Sequence, residues 1–178
     1  MDLLLDRLPS PIGTIVLVCG GGALRTLDFD GDDRWMRRWL GRQYGPYRLV
    51  PGRAPAAIRG PIEAYFEGHL ESLDEVPVEA GGTPFQQMVW SALRTIPVGT
   101  TVTYGQLAAR IGKPRSSRAV GAASGANPVP IVVPCHRVIG SSGALTGYGG
   151  GLDRKRWLLA HEHALPARPG LFPASMMS

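Results

Sequence analysis

Cysteine is scarce in this chain, and so is acid in its second half. Only Cys19 and Cys135 occur in 178 residues. That excludes a disulfide framework as the organising principle, and with it a Cys-rich zinc site. Residues 81–178 carry two carboxylates, Asp153 and Glu162, against 10 Arg and Lys, while residues 1–80 carry 12 Asp and Glu against 9. A basic half joined to an acidic half predicts that one domain meets a polyanion and the other does not. Seventeen of the 19 cations are Arg. A GC-rich genome also produces that bias, so the segregation of charge weighs more than its type. No run approaches the roughly 20 apolar residues of a membrane span. The start, Met1-Asp2-Leu3-Leu4-Leu5-Asp6, lacks the basic region and long apolar stretch of a signal peptide. Cytoplasm is the expected compartment. With 44% apolar and 19% charged residues, the composition is that of a globular protein with one domain or two small ones.

The first part reads as a small α/β domain over 1–80, an antiparallel sheet with helices. Leu3-Leu4-Leu5, Thr14 to Cys19 and Leu24 to Phe29 are strand-like, separated by turns at Ser10-Pro11-Ile12-Gly13 and Gly20-Gly21-Gly22. Asp32 or Asp33 can cap a helix bearing Trp35, Met36, Trp39 and Leu40. A second helix is predicted over Pro61–Leu70, burying Ile62, Tyr65 and Phe66. Nothing there carries chemistry. Glu75 to Gly82 reads as a linker.

The second domain, 81–164, is predicted to be mostly helical. Thr83-Pro84-Phe85-Gln86 and Thr103-Tyr104-Gly105-Gln106 are capping boxes. The first opens a helix with a stripe of Phe85, Met88, Val89, Leu93 and Ile96; the second opens a short helix through Ile111. Gly112-Lys113-Pro114 then leads into a helix across Arg115–Ala126, giving a helix-turn-helix. That helix is almost bare, with Ala119, Gly121, Ala122, Ala123, Gly125 and Ala126 around one long mid-helix side chain, Arg118. Gly costs about 1 kcal/mol inside a helix relative to Ala. Such a helix either packs closely on a neighbour or lets something large approach. Arg110, Lys113, Arg115 and Arg118, with no carboxylate between Gly81 and Gly151, tip the reading toward DNA.

Pro134-Cys135-His136-Arg137-Val138 follows the apolar run Ile131-Val132-Val133, which reads as a strand packed on both sides. A thiol beside an imidazole is a common way to present a soft nucleophile next to a base; a buried structural cysteine is the alternative. Gly140-Ser141-Ser142-Gly143 reads as a tight turn and Thr146 to Gly151 as a loop. A last helix from about Leu152 carries Asp153, Trp157, Leu158 and Leu159 and closes at His161-Glu162-His163. The Pro-rich tail 165–178 is expected to be flexible.

Tyr104-Gly105-Gln106-Leu107-Ala108, Arg118-Ala119-Val120-Gly121, Asn127-Pro128, Pro134 to Val138 and Trp157-Leu158-Leu159-Ala160-His161-Glu162 together resemble the O6-alkylguanine-DNA alkyltransferase (methylated-DNA–protein-cysteine methyltransferase) family. The resemblance runs from about Thr83 to Glu162. It implies a winged-helix-like DNA-binding domain and irreversible repair of O6-alkylguanine, less readily O4-alkylthymine, by transfer of the alkyl group to Cys135. It implies His136 as a base acting through a water, Glu162 orienting it, and Tyr104 donating to guanine N3. Arg118 would enter the base stack beside the minor groove, where Ala119, Gly121 and Ala122 allow close approach. Arg115, Asn127 and Arg137 join the DNA-binding set, with Asn127 matching the asparagine that ties the recognition helix to the active-site strand; Val138, Tyr148 and Gly149 wall the substrate pocket. No cofactor and no metal are expected, because only Cys19 is available for the zinc some relatives hold. Ser124 and Gly125 replace a larger Met-Arg pair of some members. A stand-alone monomer on double-stranded DNA is expected. The alternatives are a non-catalytic reader of alkylated DNA, which Cys135 disfavours, a helix-turn-helix regulator, disfavoured by the bare helix, and a cysteine hydrolase, which would turn over repeatedly.

Overall fold

The computed structural model describes residues 1–165, and the tail predicted to be flexible lies outside them from 166 onward. The chain forms two compact units, Met1–Gly81 and a second that begins at Gly82.

The first unit is a four-stranded sheet with two helices. Strands β1 (Asp2–Leu8), β2 (Ile15–Gly20) and β3 (Ala23–Phe29) form the expected antiparallel meander, with Leu5 opposite Val18 and Leu17 opposite Leu27. Helix α1 (Arg34–Tyr44) follows, with Asp33 at the N-cap position; it is Asp32 whose carboxylate accepts from the Arg34 N–H, at 3.1 Å. A fourth strand, β4 (Arg48–Pro51), lies parallel to β1, so the sheet is mixed, in the order β3-β2-β1-β4. Alternation along β2 turns Val16 and Val18 to one face, where Met36 and Leu40 of α1 and Leu3 of β1 meet them in one buried cluster. Fully burying one such side chain is worth about 1.5–3 kcal/mol.

Helix α2 (Ala56–Phe66) begins five residues before the predicted start and carries Pro61 inside it. The stretch read as a linker is partly structured. Leu24 N–H donates to the Pro77 carbonyl at 2.8 Å and Glu79 N–H to the Leu24 carbonyl at 3.0 Å, so Val78 pairs with the edge of β3.

The second unit is mainly helical. Both capping boxes form. Thr83 Oγ1 accepts from Gln86 N–H at the start of α3 (Pro84–Leu93), and Thr103 Oγ1 accepts from Gln106 N–H at the start of α4 (Tyr104–Arg110), each at 3.1 Å. In each, the glutamine carbonyl accepts the N-cap N–H in return. The apolar stripe of α3 is rotated from the predicted one: Met88 is exposed, and Trp90 is buried beside Val89 and Leu93. Trp90 Nε1–H donates to the Ala123 carbonyl at 2.8 Å, which ties α3 to α5 (Ser117–Gly125). Gly112, at φ +75°, closes the α4 end, and α5 starts two residues later than predicted. Strands β5 (Val102–Thr103) and β6 (Val138–Ile139) pair in parallel, and α6 (Leu152–His161) ends the described fold. No described helix is long and apolar enough to cross a membrane.

Candidate active site

The segment before Cys135 is buried but is not a strand. Pro128, Pro130 and Pro134 withhold three N–H groups that a sheet would use. Asn127 replaces the missing ladder: its Nδ2 donates to the Val133 carbonyl at 2.8 Å and its Oδ1 accepts from Val129 N–H at 2.9 Å. Val133 N–H reaches back to the Val129 carbonyl, Cys135 N–H donates to the Val133 carbonyl, and Ile131 adopts φ +73°. A β-branched residue in that region is uncommon and costs of order 1–3 kcal/mol. The chain therefore arrives at Cys135 on a coil pinned by one asparagine side chain. Cys135–Arg137 is a single 3-10 turn leading into β6.

Cys135 is half-buried. Burial pushes its thiol up, while a hydrogen bond from Asn127 and the charge of Lys155 pull it down. His136 is fully buried, and its Nε2 lies 2.7 Å from Glu162 Oε1. Arg137, placed on the DNA by the sequence reading, is instead 3% exposed. Its Nε donates to Glu162 Oε2 and its Nη2 to Glu162 Oε1, each at 2.9 Å, and its Nη1 donates to the Ile96 carbonyl at 2.7 Å. A side chain spent in this way has no donor face left for a phosphate. Asn127, counted in the DNA-binding set but also expected to tie the recognition helix to the active-site segment, is 8% exposed, and both ends of its amide are engaged within the protein, on Val129 and Val133 just before Cys135.

These contacts fix the protonation of the pair. Burial penalises the Glu162 charge, but His136 and Arg137 outweigh it and hold the carboxyl well below the ordinary carboxylate range. The carboxylate is thus an acceptor only. Burial drives the imidazole below its usual value against the pull of Glu162. A neutral ring that meets a carboxylate through Nε2 carries its proton there, which leaves a lone pair on Nδ1. That Nδ1 is buried and has no hydrogen-bond partner among the described residues.

One buried charged group beside the site was missed entirely. Lys155 is 0% exposed, and its Nζ donates to the carbonyls of Val138, at 2.6 Å, and Thr146, at 2.8 Å. Burial lowers its pKa to about 8, with the charge of Cys135 pulling it back up. Lys155, Leu158, Leu159 and Glu162 are all buried, at the i, i+3, i+4, i+7 spacing of one helix face. That spacing was readable in the sequence, but its charged ends made it look like solvent surface.

The remaining residues divide between this site and an outer face. Val138 is fully buried in β6. Tyr148 is half-buried; its hydroxyl is enclosed without a hydrogen-bond partner among the described residues, and burial with the charges of Cys135 and Glu162 pushes its pKa well up. Gly149 is exposed on the same loop. Tyr104 is half-buried, with its hydroxyl 3.5 Å from the Thr146 carbonyl. Gly121 faces the Tyr104 ring, which lies 3.7 Å from where a Cβ would stand. Arg118, Ala119 and Ala122 are exposed on α5, and Arg115 is exposed in the turn before it. Among the described residues, no group of three or more His, Cys, Asp or Glu side chains is placed to hold a metal ion.

The family model for the DNA binding domain of 6-O-methylguanine DNA methyltransferase matches residues 84–164. The methylated-DNA–protein-cysteine methyltransferase of Salmonella typhimurium is 46% identical over 165 residues, covering 91% of this chain and 96% of its own. The solved structure of Mycobacterium tuberculosis O6-methylguanine methyltransferase is similar at a TM-score of 0.75 and 41% identity, covering 96% of this chain and 99% of that one. Mycobacterium tuberculosis OGT in complex with DNA matches at a TM-score of 0.72 and 40% identity, with 96% of each chain covered. The likeness extends over both units, well beyond the motifs around Cys135, and the chain belongs to the methylated-DNA–protein-cysteine methyltransferase family.

Proposed function

We propose that this protein repairs DNA by direct reversal, moving the alkyl group of O6-alkylguanine, and less readily of O4-alkylthymine, onto Cys135 once per molecule. The observation that carries the reading is the buried Glu162–His136 pair behind Cys135, a base whose lone pair is fixed on Nδ1. Successive residues of a 3-10 turn point about 120° apart, so the imidazole reaches the thiol through a bridging water. His136 takes the thiol proton by that route. The thiolate Sγ attacks the alkyl carbon, an S–C bond forms, and the C–O6 bond breaks with its electron pair going to the guanine oxygen. A proton donated by Tyr104 toward guanine N3 offsets the developing charge; one well-placed donor of this kind is worth about 3–4 kcal/mol. The product thioether is not reopened, which makes Cys135 a consumed reagent.

The target atom lies inside the base stack, so the nucleotide must be flipped out. The exposed face of α5 supports docking against the minor groove of double-stranded DNA, with Ala119 and Ala122 allowing approach and Arg118 filling the gap left by the base. Arg115 adds a phosphate contact, and Val138, Tyr148 and Gly149 wall the pocket. The protein acts as a monomer. The test is incubation with a duplex carrying labelled O6-methylguanine. Label moves to the protein to one equivalent, and Cys135→Ser abolishes transfer. Continued turnover, or labelling of the Ser variant, refutes the reading.

A further inference from the structure

The segment from Ile96 to Thr100, which links the end of α3 to β5, meets the Glu162–His136 pair from behind. The Ile96 carbonyl accepts from Arg137 Nη1 at 2.7 Å. Thr100 N–H donates to the Pro97 carbonyl at 3.2 Å, and Thr100 Oγ1 donates to the same oxygen at 2.7 Å, so Pro97-Val98-Gly99-Thr100 closes as a turn. Just beyond it, Val102 pairs with Val138 of β6. Gly99 lies at φ +81°, as the third residue of a type II turn requires. Asn also fills that position, so the turn alone does not call for glycine. Glu162 does. A Cβ at Gly99 would stand 3.2 Å from the Glu162 backbone carbonyl oxygen, closer than ordinary van der Waals contact, and the oxygen would have to retreat by a few tenths of an ångström.

Glu162 has no slack to give. Its N–H donates to the Leu158 carbonyl at 3.0 Å, and its carboxylate accepts from His136 at 2.7 Å and from Arg137 twice at 2.9 Å. His136 and Glu162 are 0% and 1% exposed, and close packing passes a backbone shift on to the carboxylate. We infer that Gly99 is a positioning residue for alkyl transfer: its missing side chain seats Glu162, and through Glu162 it sets His136 at the angle from which the Cys135 proton is taken. The inference rests on the reading of Cys135 as acceptor and His136 as its base. Gly99 itself is exposed, and its influence on the chemistry runs through one backbone contact.

The fold supplies its own control. Gly143 lies at φ +83°, is exposed, and has nothing within 4 Å of where a Cβ would stand. Alanine there meets the same backbone strain without the contact. The test is single-turnover transfer from a duplex carrying O6-methylguanine, at saturating DNA, with the full-length protein. Loss of folded molecules lowers the amount transferred, whereas a displaced base lowers the rate at which folded molecules react. Gly99→Ala transfers its equivalent with the rate lowered about three- to tenfold, a displacement well short of the 1 Å that costs roughly a hundredfold. The DNA concentration for half-maximal rate stays at the wild-type value. Gly143→Ala keeps both wild-type values. Where Gly99→Ala fails to fold, Gly99→Asn takes its place, because Asn accepts positive φ and still carries the Cβ; Gly143→Asn is then the control. A wild-type rate in the folded Gly99 variant, or an equal loss of rate in the Gly143 variant, overturns the inference.

A second readout needs no DNA. Of the four histidines only His136 is fully buried, so its ring N–H on the Glu162 carboxylate gives a distinct proton resonance. That proton exchanges with water about tenfold faster or more in the Gly99 variant, and at the wild-type rate in the Gly143 variant. Unchanged exchange in the Gly99 variant refutes the seating of Glu162. If exchange changes as expected while the wild-type protein transfers nothing, the acceptor reading fails and the seating stands. If the wild-type protein transfers its equivalent and neither readout moves, the inference fails alone.

Discussion

The buried group Arg137–Glu162–His136 makes a quantitative prediction about stability. Replacing Glu162 by Gln keeps the side-chain shape and removes the charge. The Arg137 guanidinium, 3% exposed, is then left facing an amide whose N–H groups repel its own. Removing one partner of a buried pair costs about 3–5 kcal/mol. In a domain of this size each kcal/mol moves the thermal midpoint by about 2–4 °C, so Glu162→Gln lowers it by roughly 6–20 °C. Arg137→Met carries a similar penalty, since it strands the carboxylate. The double variant removes both charges together. What remains is the Ile96 carbonyl without its guanidinium donor, at about 1 kcal/mol, while the glutamine amide oxygen still accepts from His136. The double variant is therefore much more stable than the sum of the singles predicts, with a coupling of about 3 kcal/mol or more. Urea unfolding of the four proteins measures it. Additive losses, with coupling under about 1 kcal/mol, would refute the claim that the pair is a closed unit.

Two further outcomes follow from the same structure. The Glu162 carboxyl is held below its ordinary value of 4.5, so its contribution to stability is complete above that pH and is lost as pH falls toward its folded value. Between pH 7 and 3.5 the wild-type urea midpoint drops further than that of Glu162→Gln; parallel drops contradict the linkage. Gly82 sits at φ +89°, and a Cβ there would stand 2.6 Å from the Trp90 ring, which is itself held by its bond to Ala123. Gly82→Ala lowers stability by about 2 kcal/mol, from strain and clash together, and an unshifted thermal midpoint counts against this account.

Local chemistry was legible in the sequence wherever a few neighbouring residues decide the outcome. Thr83 with Gln86 and Thr103 with Gln106 set two helix starts unaided. The meander from Asp2 to Phe29 followed from β-branched runs broken by Pro and Gly. The errors have specific causes. Pro61 looked like a first-turn proline, but α2 opens at Ala56 behind Pro55. Ile131 to Val133 looked like a strand because its composition outweighed the three prolines around it, and the Asn127 bridge is a side-chain effect that periodicity cannot register. The strand β4 has four residues, with Arg48, Val50 and Pro51 exposed, and offers no alternating pattern. Arg137 was placed on the DNA and Lys155 was not singled out for one reason: a charged residue is buried only when a partner is supplied from elsewhere. Arg137 finds Glu162 across 25 positions, and Lys155 finds Val138 across 17.

On the docking proposed above, the bareness of α5 has a consequence for how the protein searches a genome. Its outward residues are Arg118, Ala119, Ala122 and Gly125. Three of them bring no donor or acceptor to a base edge, so this surface has almost nothing with which to tell one sequence from another. Contact with undamaged DNA then rests on charge and groove shape, which are nearly the same everywhere. A consensus would be a handicap to a molecule that acts once, because damage falls without regard to sequence. Indifference lets each copy inspect many sites before it commits its one acceptor thiol.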